Sequence, residues 1–392
     1  MNLLDLVLIV AALVSALVGF RHGFVIAACS LVGFLAGSWA GVRGAPLLLG
    51  EAPQVFSTAA VALAIVLAAG AVGSLTGTFL GRRVRERITW RPGRFVDSTA
   101  GALVGVSYVL AFSWAMGVAV SNAGLPAITA PVRGSAVLAA VDRVLPEDSV
   151  RVLGGFSQLL DQSGFPAVFA PFNQEYIAPV DAAALDESVT AAVRAAARSV
   201  LRVQGDAASC ASIMTGTGWV YARDLVVTNA HVVAGVDEPV VVDAAGRTTL
   251  GRVVLFDPAA DLAVLRVDGL DLPPIAFGGG LDAGAPATVV GYPGGGDLRL
   301  EAARVRTERV IVGPDIYGND QVTREVYSLR TVVLPGDSGG PLVSPAGVVV
   351  GVVFAASLED SETGYAFTAE QVTPTLERGL LAAASVPTGA CA

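Results

Sequence analysis

The chain has 392 residues, of which 53% are hydrophobic and only 15% charged, and its formal net charge is −9. That apolar share exceeds what an ordinary soluble domain carries, and the length allows two or three modules. The acidic balance excludes nucleic acid as a natural partner, because phosphate recognition needs clustered positive charge.

Four apolar stretches, 3–20, 24–42, 57–80 and 98–123, come near the roughly 20 residues a helix needs to cross a bilayer. The first is expected to be a retained helix and not a removable leader: it has no basic flank, carries Asp5, and runs at once into the second. Residues 1–123 are therefore expected to form a four-span membrane domain. The third connection holds Arg82, Arg83, Arg85, Arg87, Arg91 and Arg94 against Glu86, and the first holds Arg21 and His22. Excess arginine marks cytoplasmic loops, so both termini and everything after about residue 125 are expected outside the cytoplasm.

Small residues recur every four positions, at Gly33, Gly37 and Gly41, at Gly73, Gly77 and Gly81, and at Gly101 and Gly105. On helices they make flat faces for close packing. The bland use is packing within the bundle; helix-mediated self-association is the alternative. Charge inside the spans is sparse, which argues against an ion pathway. Gly19-Phe20-Arg21-His22-Gly23-Phe24, with Asp97, Gly101 and Gly105, resembles the colicin V production (CvpA) family of membrane proteins.

Residues 124–198 change character. Val137, Leu138, Val141, Val144 and Leu145 recur at helical spacing, as do Val152, Phe156, Leu159 and Leu160. Residues 164–179 are rich in Pro and Phe without periodicity and read as linker, and a short helix is expected over 188–198. No chemistry is evident in this segment.

From residue 199 the pattern becomes that of short β-strands, among them 200–203, 213–221, 225–228, 262–267, 287–291, 303–311, 324–333, 348–354 and 364–368, bounded by Gly, Pro and Asp turns. Such a series predicts an all-β barrel or sandwich over 199–392. Within it stand Thr228-Asn229-Ala230-His231-Val232-Val233 and, about a hundred residues later, Gly336-Asp337-Ser338-Gly339-Gly340-Pro341. The chain has two histidines, and His22 lies in the apolar N-terminal region, so His231 is the base available to a serine nucleophile. A carboxylate must orient that imidazole. Asp257, Asp261 and Asp268 are candidates; Asp257 precedes a proline and Asp268 a glycine, as turn residues do, whereas Asp261 opens the apolar run Leu262-Ala263-Val264-Leu265.

The two blocks, in the order His231, Asp261, Ser338, resemble the chymotrypsin-fold serine proteases. That resemblance implies two six-stranded barrels with the active site between them, a closing helix over about 369–384, and an oxyanion hole made by the backbone N–H groups of Gly336 and Ser338. It also implies a substrate pocket with Val332 at its floor and Phe354, Ala355, Ala356 and Gly364 along its walls. With no acid at Val332, a small or apolar residue is expected before the cleaved bond.

Cys29 falls in a membrane stretch and reads as a packing residue. Cys210 and Cys391 both lie in the half expected outside the cytoplasm, where disulfides persist, and are expected to pair; two free thiols are the alternative. No His/Cys cluster has zinc spacing and no nucleotide fingerprint is present, so neither metal nor cofactor is expected. The fold class is thus multi-domain: a four-helix α transmembrane bundle, then an all-β double barrel. The whole layout resembles the acid-resistance membrane serine protease (MarP) family of mycobacteria and related actinobacteria. This implies a serine endopeptidase acting on cell-envelope proteins, with the lipid bilayer as its other partner and acid or envelope stress as its setting. The rival readings are an inactive peptide-binding relative, or a transporter or scaffold with an accessory protease-like domain.

Overall fold

The computed structural model describes residues 2–49, 56–121, 126–145, 168–169, 175–207 and 212–391. It divides into two compact units, Met1–Met116 with Ser135–Val144, and Gly117–Gly134 with Leu145–Ala392.

The first unit is built from the long helices α1 (Leu3–His22), α2 (Phe24–Leu49), α3 (Phe56–Glu86) and α4 (Arg91–Ser121), with the short α6 (Ala136–Asp142) that follows α5 (Pro126–Arg133) in the chain. α1 starts with a capping box: the Asn2 side chain accepts from the Asp5 N–H at 3.0 Å, and Asp5 accepts from the Asn2 N–H at 2.8 Å. Asp5 is fully buried and also accepts from Ser135 Oγ at 2.6 Å and the Val137 N–H at 3.1 Å. An acid in an apolar helix is thus satisfied while it fixes the start of α6. At the other end of α1, the turn through Gly23 (φ 82°) is held by Asp97, which accepts from the Val25 N–H and pairs with Arg85 Nε at 2.8 Å.

The glycine stripes serve packing within this unit. A Cβ on Gly33 would strike the Gly73 carbonyl across α2 and α3, and one on Gly19 would strike the Gly101 carbonyl across α1 and α4. Leu3, Leu13, Leu17, Leu75, Leu103 and Phe112 are exposed, as side chains are whose solvent is lipid.

Among the described residues three segments are long and apolar enough to cross a membrane, Leu3–His22, Phe24–Gly41 and Arg91–Val118. Three of the four expected spans thus meet this criterion. The stretch 57–80 is helical within α3, but many of its side chains lie outside the described residues. The expected pattern at 152–160 also lies outside them. The helix expected over 188–198 is two short pieces, α7 (Leu185–Ser188) and α8 (Ala191–Ala196), then a 3-10 turn over Ala197–Ser199.

The second unit carries two antiparallel sheets. The first comprises β1 (Val200–Ala207), β2 (Ser212–Ala222), β3 (Leu225–Thr228), β4 (Val240–Val242), β5 (Thr248–Leu250), β6 (Arg252–Asp257) and β7 (Leu262–Arg266), in the order β5-β4-β1-β2-β3-β7-β6. Its edge strands β5 and β6 are consecutive in the chain, separated by Gly251 alone, whose N–H donates to the Pro239 carbonyl at 2.8 Å. The sheet therefore curls until its edges meet through the chain itself. The second sheet is a closed barrel, β10-β13-β12-β11-β8-β9, made of β8 (Pro286–Gly291), β9 (Arg299–Pro314), β10 (Gln321–Arg330), β11 (Pro341–Val343), β12 (Val349–Ala356) and β13 (Thr363–Thr368).

The expectation of two six-stranded barrels is thus met by one; among the described residues the other sheet has seven strands and no ladder between its edges. The core of this unit holds Trp219, Leu262, Leu329, Leu342, Tyr365 and Phe367, each at most 1% exposed. The final helix α10 (Ala369–Leu381) packs on this fold, where its Leu376 carbonyl accepts from Tyr221 Oη at 2.6 Å. Between β3 and β4, the one-turn helix α9 (Ala230–Val233) carries His231.

Candidate active site

β3 and β7 pair antiparallel with Thr228 opposite Ala263. His231 lies three residues past Thr228 and Asp261 two residues before Ala263, so the pairing delivers both to one end of the ladder. Asp261 receives His231 Nδ1 at 2.9 Å on each carboxylate oxygen and the His231 backbone N–H at 3.0 Å on Oδ1. A carboxylate accepts, so Nδ1 carries the ring proton and Nε2 presents its lone pair. Asp261 has φ 54°, a left-handed conformation rare for a residue with a side chain. Its carbonyl accepts from Asn229 Nδ2 at 2.7 Å. The other two acids are elsewhere: Asp257 pairs with Arg378 and accepts from the Ala260 N–H, and the exposed Asp268 pairs with Arg252.

Ser338 sits in the turn between β10 and β11, and the turn's backbone is pinned on several sides. The Ser338 carbonyl accepts from the Thr217 N–H at 2.8 Å, the Gly336 carbonyl from Thr217 Oγ1 at 2.6 Å, and Gly339 N–H donates to the Val353 carbonyl at 2.8 Å. Gly336 has φ 99°, and a Cβ there would lie 2.5 Å from the Tyr292 carbonyl oxygen. Among the described residues, the N–H groups of Gly336 and Ser338 donate to no protein acceptor. Ser338 Oγ and His231 Nε2 are both buried with no hydrogen-bond partner there. The structure therefore joins His231 to Asp261 and leaves the serine hydroxyl without a hydrogen bond to the imidazole.

Asp337, fully buried beside Ser338, accepts from Arg299 Nη2 at 3.1 Å and the Leu334 N–H at 2.9 Å. Burial pushes its carboxyl above the usual carboxylate range, against the pull of those two donors.

The expected pocket residues fall differently. It is Val333 and Thr331, on either side of Val332, whose methyl groups would meet a Cβ placed on Gly364. The Val332 carbonyl is taken by Arg299 at 2.6 Å. Phe354 is 1% exposed and stacks on Phe367 with centroids 4.0 Å apart. Ala355 is buried and Ala356 is half-buried at the end of β12. Cys29 is a free thiol, Cys391 lies against Gly235, and Cys210 lies outside the described residues.

Asn229 and Asp337 fall within the two motifs but have no role assigned from the sequence, and Thr217 and Arg299 lie outside both motifs. One signal was available: an acid next to the serine in apolar surroundings needs a cation, and in a chain without lysine that cation is an arginine.

Curled sheet, closed barrel and His231–Asp261 pair define a trypsin-like serine protease domain following a helical membrane unit. Residues 216–352 match the trypsin-like peptidase domain family, and residues 4–146 match the colicin V production protein family. The serine protease Rv3671c of Mycobacterium tuberculosis strain H37Rv is 39% identical over 394 residues, covering 99% of this chain and 98% of its own. The crystal structure of the Rv3671c protease in its active form aligns with TM-score 0.54 and 40% identity, covering 57% of this chain and 99% of that one. A Do-like HtrA serine protease of Lactobacillus helveticus is 36% identical over 149 residues, 35% of this chain and 34% of its own. The chain belongs to the Rv3671c family of serine proteases.

Proposed function

We propose that this protein is a membrane-anchored extracytoplasmic endopeptidase that cleaves cell-envelope proteins through an acyl-enzyme. The observation that carries the mechanism is the His231–Asp261 contact, with Nδ1 2.9 Å from both carboxylate oxygens. Ser338 Oγ attacks the scissile carbonyl carbon while its proton passes to His231 Nε2. Asp261 steadies the imidazolium, and the Gly336 and Ser338 N–H groups receive the oxyanion. The C–N bond then breaks, with the Nε2 proton going to the leaving amine. Water, deprotonated by Nε2, attacks the acyl carbon, and the carboxylic product leaves as Oγ regains its proton. The missing serine–histidine hydrogen bond is one that substrate binding closes, since such contacts are long in free enzymes. With valine and threonine methyls facing Gly364 and no acid at Val332, a small apolar side chain suits the pocket.

In this reading residues 1–123 are a four-span anchor, with 57–80 the fourth span, residues 124–198 a connector, and 199–392 the protease on the outer face. Cys391 pairs there with Cys210. Cys391 is packed at Gly235, where an added Cβ would lie 2.8 Å from Sγ. The tie to acid or envelope stress rests on family resemblance.

The test is hydrolysis of a peptide library by the full chain in proteoliposomes, with a fluorophosphonate probe. Labelling at Ser338 and loss of hydrolysis in Ser338→Ala support the reading. Unlabelled Ser338, or hydrolysis undiminished in Ser338→Ala, overturns it.

A further inference from the structure

We propose that Arg324, on β10 of the closed barrel, is a positioning residue that holds the loop of Asp261 and sets the charge around the His231–Asp261 pair. The inference rests on the triad reading above and concerns a residue outside it.

Arg324 is 3% exposed. Its guanidinium donates twice to the Ala259 carbonyl, from Nε at 3.2 Å and Nη2 at 2.9 Å, and once to the Pro314 carbonyl from Nη1 at 2.9 Å. It lies 6.0 Å from the centroid of the Phe367 ring. Ala259 belongs to the first sheet's β6–β7 loop, two residues before Asp261. A planar fork on one carbonyl fixes direction as well as distance, which an ammonium does not. Asp261 needs such support, because its positive φ costs on the order of 1–3 kcal/mol and persists only where its surroundings over-determine it. Arg324 fastens the loop before Asp261, and Asn229 fastens the Asp261 carbonyl itself at 2.7 Å. The two sheets thereby meet at the acid that orients the imidazole.

Three carboxylates share the field of Arg324: Asp261 first, then Asp315 and Asp257. Asp315 is occupied by the Tyr317 and Asn319 N–H groups, and Asp257 by Arg378 and the Ala260 N–H. Asp261 is the member of the three that also holds His231. A buried positive charge beside that pair disfavours a second positive charge on the imidazole. Removing it makes the imidazole easier to protonate, so activity is lost at a higher pH.

The experiment uses the full chain in proteoliposomes and measures kcat, KM and the pH profile of kcat/KM for Arg324→Met, Arg324→Lys, Asp261→Asn and Asp261→Asn combined with each Arg324 change. Arg324→Met is expected to lower kcat on the order of 10- to 100-fold, leave KM nearly unchanged, and move the acidic limb to higher pH. Arg324→Lys keeps the charge, so it should lower kcat and leave the limb in place. In the Asp261→Asn background, Arg324→Met should cost nothing further, because it acts through Asp261. Wild-type kcat and limb in folded Arg324→Met, or a fully additive loss in the double variant, overturns the proposal. Should Arg324→Met fail to fold, Arg324→Lys decides: wild-type kcat overturns the proposal, and a loss that vanishes in the Asp261→Asn background upholds it. Failure of the triad reading is seen separately, as wild-type turnover in Asp261→Asn alone.

Discussion

Arg299 Nη2 lies 3.1 Å from the carboxylate of Asp337 and 2.6 Å from the carbonyl oxygen of Val332. One guanidinium thus ties the residue before Ser338 to the segment that leads into it. Asp337 in turn accepts from the Leu334 N–H, and its own N–H donates to the Leu334 carbonyl at 2.9 Å. The turn that presents the Gly336 and Ser338 N–H groups is closed from both ends.

Arg299→Met is therefore expected to lower kcat on the order of 10- to 100-fold by letting that turn relax, with Arg299→Lys recovering part of the loss. The stability effect has a defined pH sign. The folded-state pKa of Asp337 is raised, so the stability its protonation contributes is present below the unfolded carboxylate pKa and lost as pH rises through the folded value. Arg299 offsets that loss by stabilising the charged form. The melting temperature of Arg299→Met should fall below wild type at neutral pH, with the gap closing in acid. A constant gap from pH 4 to 7 would contradict the ion pair's role.

The triad predicts a second pattern. Ser338→Ala, His231→Ala and Asp261→Asn should each reduce kcat by roughly 10⁴-fold, and combining them should cost little more, because the three act as a unit. Asp257→Asn should leave kcat within a few-fold, since Asp257 is engaged by Arg378 and the Ala260 N–H. Steady-state kinetics on one peptide separates the two acids. A reversal of their effects would reassign the acid.

Much of this was legible in the sequence because its signals are local. The apolar stretches, the switch to strand periodicity near residue 199, and the motifs around His231 and Ser338 each depend on neighbours in the chain. Asp261 could be chosen over Asp257 and Asp268 because it abuts an apolar run carried into the core, although Asp257 closes β6 and Asp261 itself stands in the turn before β7. What escaped depends on long-range pairing. β5, β6 and β11 were not anticipated: β5 and β11 have three residues each, and β11 follows directly on the glycine-rich turn. Arg299 and Arg324 lie 38 and 65 residues from the groups they hold, so no window of sequence links them. Val333 and Thr331 face Gly364 while Val332 does not, because side chains alternate along an extended segment.

Gly339 offers a test of the turn's backbone independent of charge. Its φ is 82°, and a Cβ there would strike the Thr217 carbonyl and approach the Asn229 N at 2.9 Å. Gly339→Ala should destabilise the protease unit by on the order of 1–3 kcal/mol from backbone strain alone, with the steric clash adding to it. Gly246→Ala is a control, because φ is positive there too but no atom lies within 4 Å of the added Cβ. Denaturant unfolding of both variants should show the larger loss at Gly339; equal losses would mean the turn moves freely.

The proposed topology and disulfide stand or fall together. A reporter inserted within Arg82–Arg94 should be active in the cytoplasm, and one fused after residue 125 only outside it. Cys210 and Cys391 then share an oxidising compartment, and their bridge closes a loop of roughly 180 residues, for which the chain-entropy model gives about 5 kcal/mol. Reduction should lower the melting temperature of the protease unit, and Cys210→Ser should match reduced wild type. The bridge would also anchor the tail beyond α10, where the Thr388 carbonyl accepts from the Gly235 N–H at 3.3 Å and Thr388 Oγ1 donates to the Val236 carbonyl at 3.0 Å. Gly235 lies four residues from His231, so a loosened tail should also slow peptide hydrolysis. A non-reducing peptide map and paired kinetics of oxidised and reduced protein decide it. Free thiols at both positions in exported protein would remove the bridge, and equal rates would limit it to stability.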